Sequence, residues 1–184
     1  MKINNICVFC GSNKNINEPY KSETEKLAKL LVKNNLTLVY GGANVGLMGV
    51  LSDTMMKNNG KVIGIIPKFM MLREIADTNI TSLILVNTMA ERKKRMIEES
   101  DAFIALPGGI GTLDEIFEVI ALTQLNKIVK PCAFLNINGY YDKLIEFLEY
   151  AVSENFISSH IIKKLIITNT ADVLLKKMLD ISNI

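Results

Sequence analysis

Residues 101–125 read DAFIALPGGIGTLDEIFEVIALTQL and hold a strand, a glycine loop and a helix in succession. The mostly apolar run Asp101–Leu106 predicts a buried strand, which the following Pro-Gly-Gly ends. Apolar residues then recur at helical spacing, which predicts a helix over Thr112–Leu125. Glycines let backbone N–H groups approach a ligand, and a helix N-terminus carries a partial positive charge. This unit is typical of α/β proteins that bind an anion at the end of a strand.

The same alternation of short apolar runs and longer amphipathic runs extends through the chain. Strands are also predicted at Ile3–Phe9, Leu36–Tyr40, Lys61–Ile66, Ser82–Val86, Cys132–Leu135 and Ile166–Thr168. A helix that Asn17-Glu18-Pro19 opens is predicted to run to about Asn34, and further helices are predicted at Leu47–Asn58, Met89–Ser100 and Tyr140–Glu154, from about Ser158, and after the last strand. Apolar strands that alternate with helices form a parallel sheet covered on both faces. We therefore expect one α/β domain over residues 1–184, a doubly wound, Rossmann-like parallel sheet, with no element assigned to Lys68–Thr81.

Composition excludes several classes of protein. The 184 residues carry 21 basic and 19 acidic side chains, a formal charge of +2, which argues against a dedicated nucleic-acid binder. No apolar stretch approaches the roughly 20 residues of a membrane span, and the N-terminus does not resemble a signal peptide. We expect a soluble, cytoplasmic protein with neither a nucleic-acid partner nor a membrane partner.

The three cysteines fit a reducing compartment, because their number is odd. Cys7 and Cys10 form a C-x-x-C, but they lie on a predicted strand, where residues three apart face opposite sides of the sheet. A disulfide requires Cα atoms within about 7 Å. We expect buried, reduced thiols rather than a redox or metal site.

Two common nucleotide motifs are absent from the glycine-rich loops. Residues 41–48 read GGANVGLM and have the glycine spacing of a Walker A loop. Leu47 and Met48 occupy the positions where that loop needs Lys and Ser or Thr. The dinucleotide motif G-x-G-x-x-G would need a glycine at Asp114, where a carboxylate would repel a pyrophosphate. A nucleotide kinase-type loop and a dinucleotide oxidoreductase are therefore excluded.

Every glycine cluster nevertheless follows a predicted strand. Gly11 follows the first, Gly41-Gly42 the second, and Gly108-Gly109 with Gly111 the fifth. Ligands of parallel sheets bind at the carboxyl ends of the strands, so this edge is predicted to hold an anion. Thr112 is expected to cap the following helix and to donate to a phosphate oxygen. A simple glycine turn with helix-start acids remains the alternative at this point.

A second motif lies on the helix after the fourth strand. Residues 89–96 read MAERKKRM, and positions 89, 92, 93 and 96 share one face of a helix. That face brackets Arg92 and Lys93 between two methionines. The helix begins at the edge where ligands are expected, although a solvated face is the alternative.

Together these residues resemble the LONELY GUY (LOG) family, long mislabelled as lysine decarboxylases. Residues 107–115 match the signature P-G-G-x-G-T-x-x-E, and residues 89–96 match M-x-x-R-K-x-x-M. The resemblance extends from Cys10-Gly11-Ser12 through residues 41–49 to Asn136, Gly139, Tyr140 and Tyr141. It implies hydrolysis of the N-glycosidic bond of cytokinin riboside 5′-monophosphates or AMP, giving free base and ribose 5-phosphate. It also implies a homodimer with the site near the subunit interface.

The resemblance also implies the site residues. Glu115 matches the carboxylate that stabilises an oxocarbenium-like ribose or directs water, and Arg92 matches a cation that holds phosphate or assists the departing base. Substrate contacts are carried over onto Glu74, Arg92, Lys93, Gly108, Gly109, Ile110, Gly111, Thr112, Leu113, Asp114, Ser12 and Gly42. Asp114 is equally open to a role as a helix-start acid. Ala43, Ala90 and Ala121-Leu122 depart from the usual family residues, which leaves the identity of the base open.

Other catalytic chemistries find little support in the sequence. His160 is the single histidine, so a multi-histidine metal site or a His-based triad is excluded, and we expect no metal and no cofactor. A pyridoxal-phosphate decarboxylase usually needs a larger, two-domain chain. The alternative from another class is a nucleotide-binding or carrier protein with the same fold and no efficient turnover. The presence of both Arg92 and Glu115 favours the enzyme.

Overall fold

A computed structural model describes residues 2–71 and 76–182, which contain a seven-stranded, all-parallel sheet. The strands are β1 Asn5–Phe9, β2 Thr37–Tyr40, β3 Lys61–Pro67, β4 Ser82–Val86, β5 Ala102–Ala105, β6 Cys132–Leu135 and β7 Ile166–Thr168. The helices are α1 Glu18–Lys33, α2 Gly46–Lys57, α3 Met89–Glu98, α4 Ile110–Gln124, α5 Asp142–Ser153, α6 Ser159–Lys163 and α7 Ala171–Ser182. The predicted α/β, doubly wound, Rossmann-like class is confirmed.

The strand order places a topological switch point beside β1. The sheet runs β4-β3-β2-β1-β5-β6-β7, so the chain builds outward from β1 to β4 and then returns to the other side of β1. Val8 of β1 pairs with Ile104 of β5, and Cys7 pairs with Val39 of β2. In open α/β sheets the crevice at such a reversal, outside the carboxyl ends of the strands, is where ligands bind. Here that crevice lies between the loops that follow β1 and β5.

Side chains alternate between two cores because successive residues of a strand point to opposite faces. One core joins β1 residues such as Ile6 and Val8 to apolar side chains of α1, α2 and α7. The other joins Cys7 and Phe9 to apolar side chains of α3, α4 and α6. The sheet is therefore buried on both faces, as expected for parallel strands.

The cysteines follow the same alternation. Cys7 lies in the core beside α3 and α4, whereas Cys10 belongs to the core on the opposite face. All three thiols are buried and free, and burial raises the pKa of the Cys132 thiol to about 12. Burial likewise raises the pKa values of Cys7 and Cys10. The C-x-x-C is thus a feature of the core, as its position on a strand predicts.

The boundaries of several elements differ from the prediction. The fourth helix begins at Ile110, two residues before the predicted start at Thr112. The unassigned segment after β3 contains a short 3-10 helix, Lys68–Met70, and an isolated bridge between Ala43 and Ala76. In the part of the chain that the structure describes, no helix combines the length and apolar character that crossing a bilayer requires.

Candidate active site

The three glycine loops share the carboxyl edge of the sheet, as the sequence predicts, and they meet at the switch point. The Gly11 N–H after β1 donates to the Pro107 carbonyl after β5 at 3.1 Å. The Gly11 carbonyl accepts from the N–H of Leu47, at the start of α2, at 3.0 Å. Gly46 has a φ of +59°, and a Cβ there would lie 2.6 Å from the Gly11 carbonyl oxygen, so only glycine fits. The close approach of these backbones builds the floor of the crevice.

The loop after β5 opens directly into α4, with Gly109 at the N-cap and no side chain capping the helix. The expected cap by Thr112 is therefore wrong. Because the helix starts at Ile110, Thr112 lies inside the first turn, and its hydroxyl is turned towards Gly108, where a Cβ would lie 2.1 Å from Oγ1. The first N–H groups of any helix lack intrahelical acceptors. Around Gly109 and Gly111 an added Cβ would meet nothing within 4 Å, so this end of α4 faces open space.

Arg92 lies at the centre of the site and is buried, with only 7% of its surface exposed. The Thr88 hydroxyl accepts from the Glu91 N–H and caps α3, so Arg92 falls at the end of its first turn. The guanidinium donates through Nε to the Ile65 carbonyl at 3.0 Å and through Nη2 to the Gly41 carbonyl at 3.2 Å. The solvated face considered as an alternative is therefore wrong for Arg92.

The remaining terminal nitrogen of Arg92 forms an ion pair with Glu115. Nη1 lies 3.3 Å from Oε1 of Glu115, and the two side chains are 8% and 11% exposed. The pair is close enough to β1 to act on the Cys10 thiol: burial is the main cause of its raised pKa, Glu115 raises the pKa further, and Arg92 lowers it. The structure thus places a cation and a carboxylate beside the carboxyl end of β1.

Lys93, the next residue of α3, contacts two carboxylates of α4. Its Nζ lies 3.0 Å from Asp114 Oδ2 and 2.8 Å from Glu118 Oε2. Hydrogen bonds that Lys93 donates to Glu118 and then to Asp114 raise the pKa of Lys93. Asp114 lies in the second turn of α4, so its interpretation as a helix-start acid is wrong. Lys93 therefore ties α3 to α4, next to the pair formed by Arg92 and Glu115.

The other expected contact residues lie at different depths. Ile110 is 83% exposed at the start of α4, Leu113 is half-buried, and Ser12 is exposed beside Gly46. Gly42 is buried, and its carbonyl accepts from the Asp77 N–H at 3.0 Å. Glu74 lies outside the described residues.

Two groups of polar residues at the site were not assigned by sequence reasoning. The carboxylate of Asp77, 3% exposed, accepts from the hydroxyls of Ser52 at 2.7 Å and Tyr40 at 3.1 Å. The hydroxyl of Tyr140 donates to the Gly108 carbonyl at 2.7 Å, and that of Tyr141 to the Leu106 carbonyl at 2.6 Å. The two tyrosines belong to a matched stretch of sequence, but only the folded chain shows what they contact. Within residues 2–71 and 76–182, no group of three His, Cys, Asp or Glu side chains is arranged to hold a metal ion.

Comparison with known proteins identifies the family. Residues 48–178 match the family described as "Possible lysine decarboxylase". The chain is 45% identical over 173 residues to the probable cytokinin riboside 5′-monophosphate phosphoribohydrolase LOGL6 of Oryza sativa subsp. japonica, covering 94% of this chain and 69% of that protein. The chain belongs to the LOG family. It is also 44% identical over 179 residues to the cytokinin riboside 5′-monophosphate phosphoribohydrolase LOG1 of Arabidopsis thaliana, covering 97% of this chain and 84% of that relative.

Solved structures with the same fold are more distant in sequence than these LOG relatives. A molybdenum cofactor binding protein from Rippkaea orientalis aligns with a TM-score of 0.72 at 24% identity, over 99% of each chain. The molybdenum cofactor carrier protein of Chlamydomonas reinhardtii aligns with a TM-score of 0.71 at 18% identity, over 97% of this chain and 99% of its own. At such identities the likeness shows the shared fold, and function has to be argued from the site.

Two glycines of the loop differ in how closely their neighbours pack, and this difference can be tested. We expect Gly108→Ala to destabilise the protein by about 1–3 kcal/mol, because its Cβ would overlap the Thr112 hydroxyl and crowd the backbone nitrogen of Gly11. Gly111→Ala is the matched control, since its Cβ meets no neighbour within 4 Å and alanine favours a helix. Urea unfolding of both variants measures the difference. Equal stability of the two variants would contradict the proposed close packing at Gly108.

Proposed function

We propose that this LOG-family chain hydrolyses the N-glycosidic bond of a nucleoside 5′-monophosphate with a cytokinin-type or adenine base. Water adds across the bond: hydroxide joins C1′ of the ribose, and the departing base takes up a proton. The observation that carries the proposal is the ion pair between the buried Arg92 and the largely buried Glu115, 3.3 Å apart, beside an uncapped helix N-terminus. The names of the LOG relatives, all phosphoribohydrolases, support it.

The phosphate is assigned to the loop Gly108–Thr112. The first N–H groups of α4, together with the helix dipole, attract an anion there. The open space around Gly109 and Gly111 gives phosphate oxygens access to the backbone. The other proposed substrate contacts are Ser12, Ile110, Leu113, Gly42, Asp114, Lys93 and Glu74.

We assign Glu115 a catalytic role at C1′ of the ribose, the carbon at which the bond is broken. Cleavage of an N-glycosidic bond develops positive charge on the ribose, which a carboxylate stabilises while it orients the attacking water. Arg92 holds this carboxylate in place, since its other donors are fixed to the carbonyls of Gly41 and Ile65. Lys93 sits between Asp114 and Glu118, so besides its proposed substrate contact it adds a positive charge next to the pair.

The phosphate assignment predicts a strong preference for nucleotides. Charge-assisted hydrogen bonds are each worth roughly 1.5–3 kcal/mol, so losing two or more should cost at least about 100-fold in kcat/KM. We expect AMP-type monophosphates to be hydrolysed and the matching nucleosides hardly at all. Chromatographic detection of free base from AMP and adenosine measures the ratio. Equal rates on the two substrates would refute the loop as the phosphate site.

The assignment of Glu115 predicts an effect on turnover rather than on binding. Glu115→Gln keeps the size of the side chain and a hydrogen-bond acceptor for Arg92, while removing the charge that the transition state needs. We expect kcat to fall at least about 100-fold, roughly 2.7 kcal/mol, with nucleotide affinity within about tenfold of the native protein. Glu118→Gln, which alters a neighbouring carboxylate of α4, is the matched control. Arg92→Ala should weaken both binding and turnover.

Two outcomes would overturn these roles. If Glu115→Gln cleaved AMP as fast as the native protein does, Glu115 would be a structural partner of Arg92 alone. If the native protein bound nucleotides but released no base from any monophosphate, the chain would be a nucleotide carrier.

We also propose a homodimer in the cytoplasm. The LOG resemblance supports the dimer, and Ile110 leaves a large apolar side chain exposed next to the site. The odd number of cysteines, all buried and free, supports the reducing compartment. Light scattering should give twice the 20.5 kDa mass of one chain. We expect Ile110→Asp to weaken the dimer and Val129→Asp, an equally exposed position at the opposite edge of the sheet, to leave it intact; a monomeric native protein would refute the proposal.

A further inference from the structure

Three successive carbonyl groups of the loop after β5 each accept a hydrogen bond from another element. The Leu106 carbonyl accepts from the Tyr141 hydroxyl at 2.6 Å, and the Pro107 carbonyl accepts from the Gly11 N–H at 3.1 Å. The Gly108 carbonyl accepts from the Tyr140 hydroxyl at 2.7 Å. The orientations of three consecutive peptide planes are therefore fixed by groups outside the loop.

Fixing a carbonyl also fixes the N–H on the other side of the same peptide bond. In a trans peptide the two groups point in opposite directions, and no cis peptide occurs in the described residues. The bond from Tyr140 to the Gly108 carbonyl therefore turns the Gly109 N–H away from the phenol. Gly109 is the N-cap of α4, and the space around it is open. Without that bond a glycine peptide could rotate freely, because glycine tolerates almost any backbone angle.

Tyr140 is well placed to hold this orientation although its side chain is partly exposed. Its ring packs edge-on against Tyr141, with centroids 4.9 Å apart, and against Tyr20 at 6.0 Å. Its N–H donates to the Ile137 carbonyl, and the next N–H, that of Tyr141, donates to Asn136 Oδ1 at 2.7 Å. The β6–α5 connection thus presents the hydroxyl of Tyr140 to the loop from a rigid base.

We infer that Tyr140 is a positioning residue for the phosphate: its hydroxyl holds the Gly108 carbonyl so that the Gly109 N–H faces the phosphate of the substrate. The inference rests on the proposed function of the loop. In this role Tyr140 acts through the peptide between Gly108 and Gly109, because its hydroxyl donates its single proton to the Gly108 carbonyl. Loss of the Tyr140 hydroxyl should weaken binding of the substrate and of the transition state by the same factor, because the phosphate is bound throughout the reaction.

Tyr141 supplies a control, because its hydroxyl binds another carbonyl of the loop after β5. Its hydroxyl binds the Leu106 carbonyl, but the next residue is Pro107, so that peptide has no N–H to orient. Tyr141 is also buried, at 2% exposure. Removing the Tyr141 hydroxyl should lower the free energy of unfolding without changing the direction of any N–H that faces the phosphate. Removing the Tyr140 hydroxyl should release the Gly109 N–H from its orientation.

The experiment compares Tyr140→Phe and Tyr141→Phe with the native protein and with Tyr150→Phe, which removes a phenol from an exposed position of α5. Calorimetry measures the Kd for ribose 5-phosphate, and steady-state kinetics measure kcat and KM for AMP. For Tyr140→Phe we expect Kd and KM to rise about 3- to 10-fold, the size of one hydrogen bond, with kcat within about twofold. For Tyr141→Phe we expect Kd within about twofold and a lower thermal midpoint.

Several results would overturn the role proposed for Tyr140. An unchanged Kd in Tyr140→Phe, or an equal rise in Tyr141→Phe, would overturn it, because then the hydroxyls only brace the fold. Failure of the native protein to bind ribose 5-phosphate would overturn it too. If the native protein bound ribose 5-phosphate but released no base from AMP, the proposed function would fail, and the binding comparison would still test Tyr140.

Discussion

The buried guanidinium of Arg92 is the interaction on which the site depends. A charge with 7% exposure is stable only when its donors are satisfied, and here they bind the Gly41 carbonyl, the Ile65 carbonyl and Glu115. These partners belong to the ends of β2 and β3 and to α4, so one side chain of α3 joins three other elements. A side chain at Gly41 would displace the guanidinium from this contact, because its Cβ would overlap Nη2. Glycine at position 41 therefore makes room for the guanidinium of Arg92, in addition to its role in the turn.

Glu115 and the N-terminus of α4 bring opposite charges to the site. The start of α4 carries free N–H groups and a partial positive charge, and Glu115 places a carboxyl group one and a half turns along the same helix. Since both lie on α4, their separation is set by helix geometry. The ion pairs of Lys93 with Asp114 and Glu118 then hold α4 against α3. The distance from the helix N-terminus to the Glu115 carboxylate is thus determined mainly by one rigid element.

The shared fold and the family membership carry different information. The molybdenum cofactor proteins align over nearly the whole chain at 24% identity or less, which reflects a common sheet and a common switch point. The LOG relatives are about twice as similar in sequence, at 44–45% identity. A crevice at the carboxyl edge of a doubly wound sheet suits many ligands. The choice among them depends on the side chains placed there, of which Arg92 and Glu115 are the most constrained.

The sequence by itself determined the class of fold, the bounds of β4, β6 and β7, and the edge of the sheet where the glycine loops lie, because hydrophobic periodicity and glycine position are local signals. It also placed Arg92, Lys93 and Glu115 in one site through two short motifs. Tertiary structure alone decided what those residues contact: that Arg92 is buried on two carbonyls, that Lys93 is shared by Asp114 and Glu118, and that Thr112 packs under Gly108 instead of capping α4. The hydroxyls of Tyr140 and Tyr141 likewise reach carbonyls more than 30 positions earlier. Such contacts depend on how strands far apart in sequence are ordered in the sheet, which no local pattern encodes.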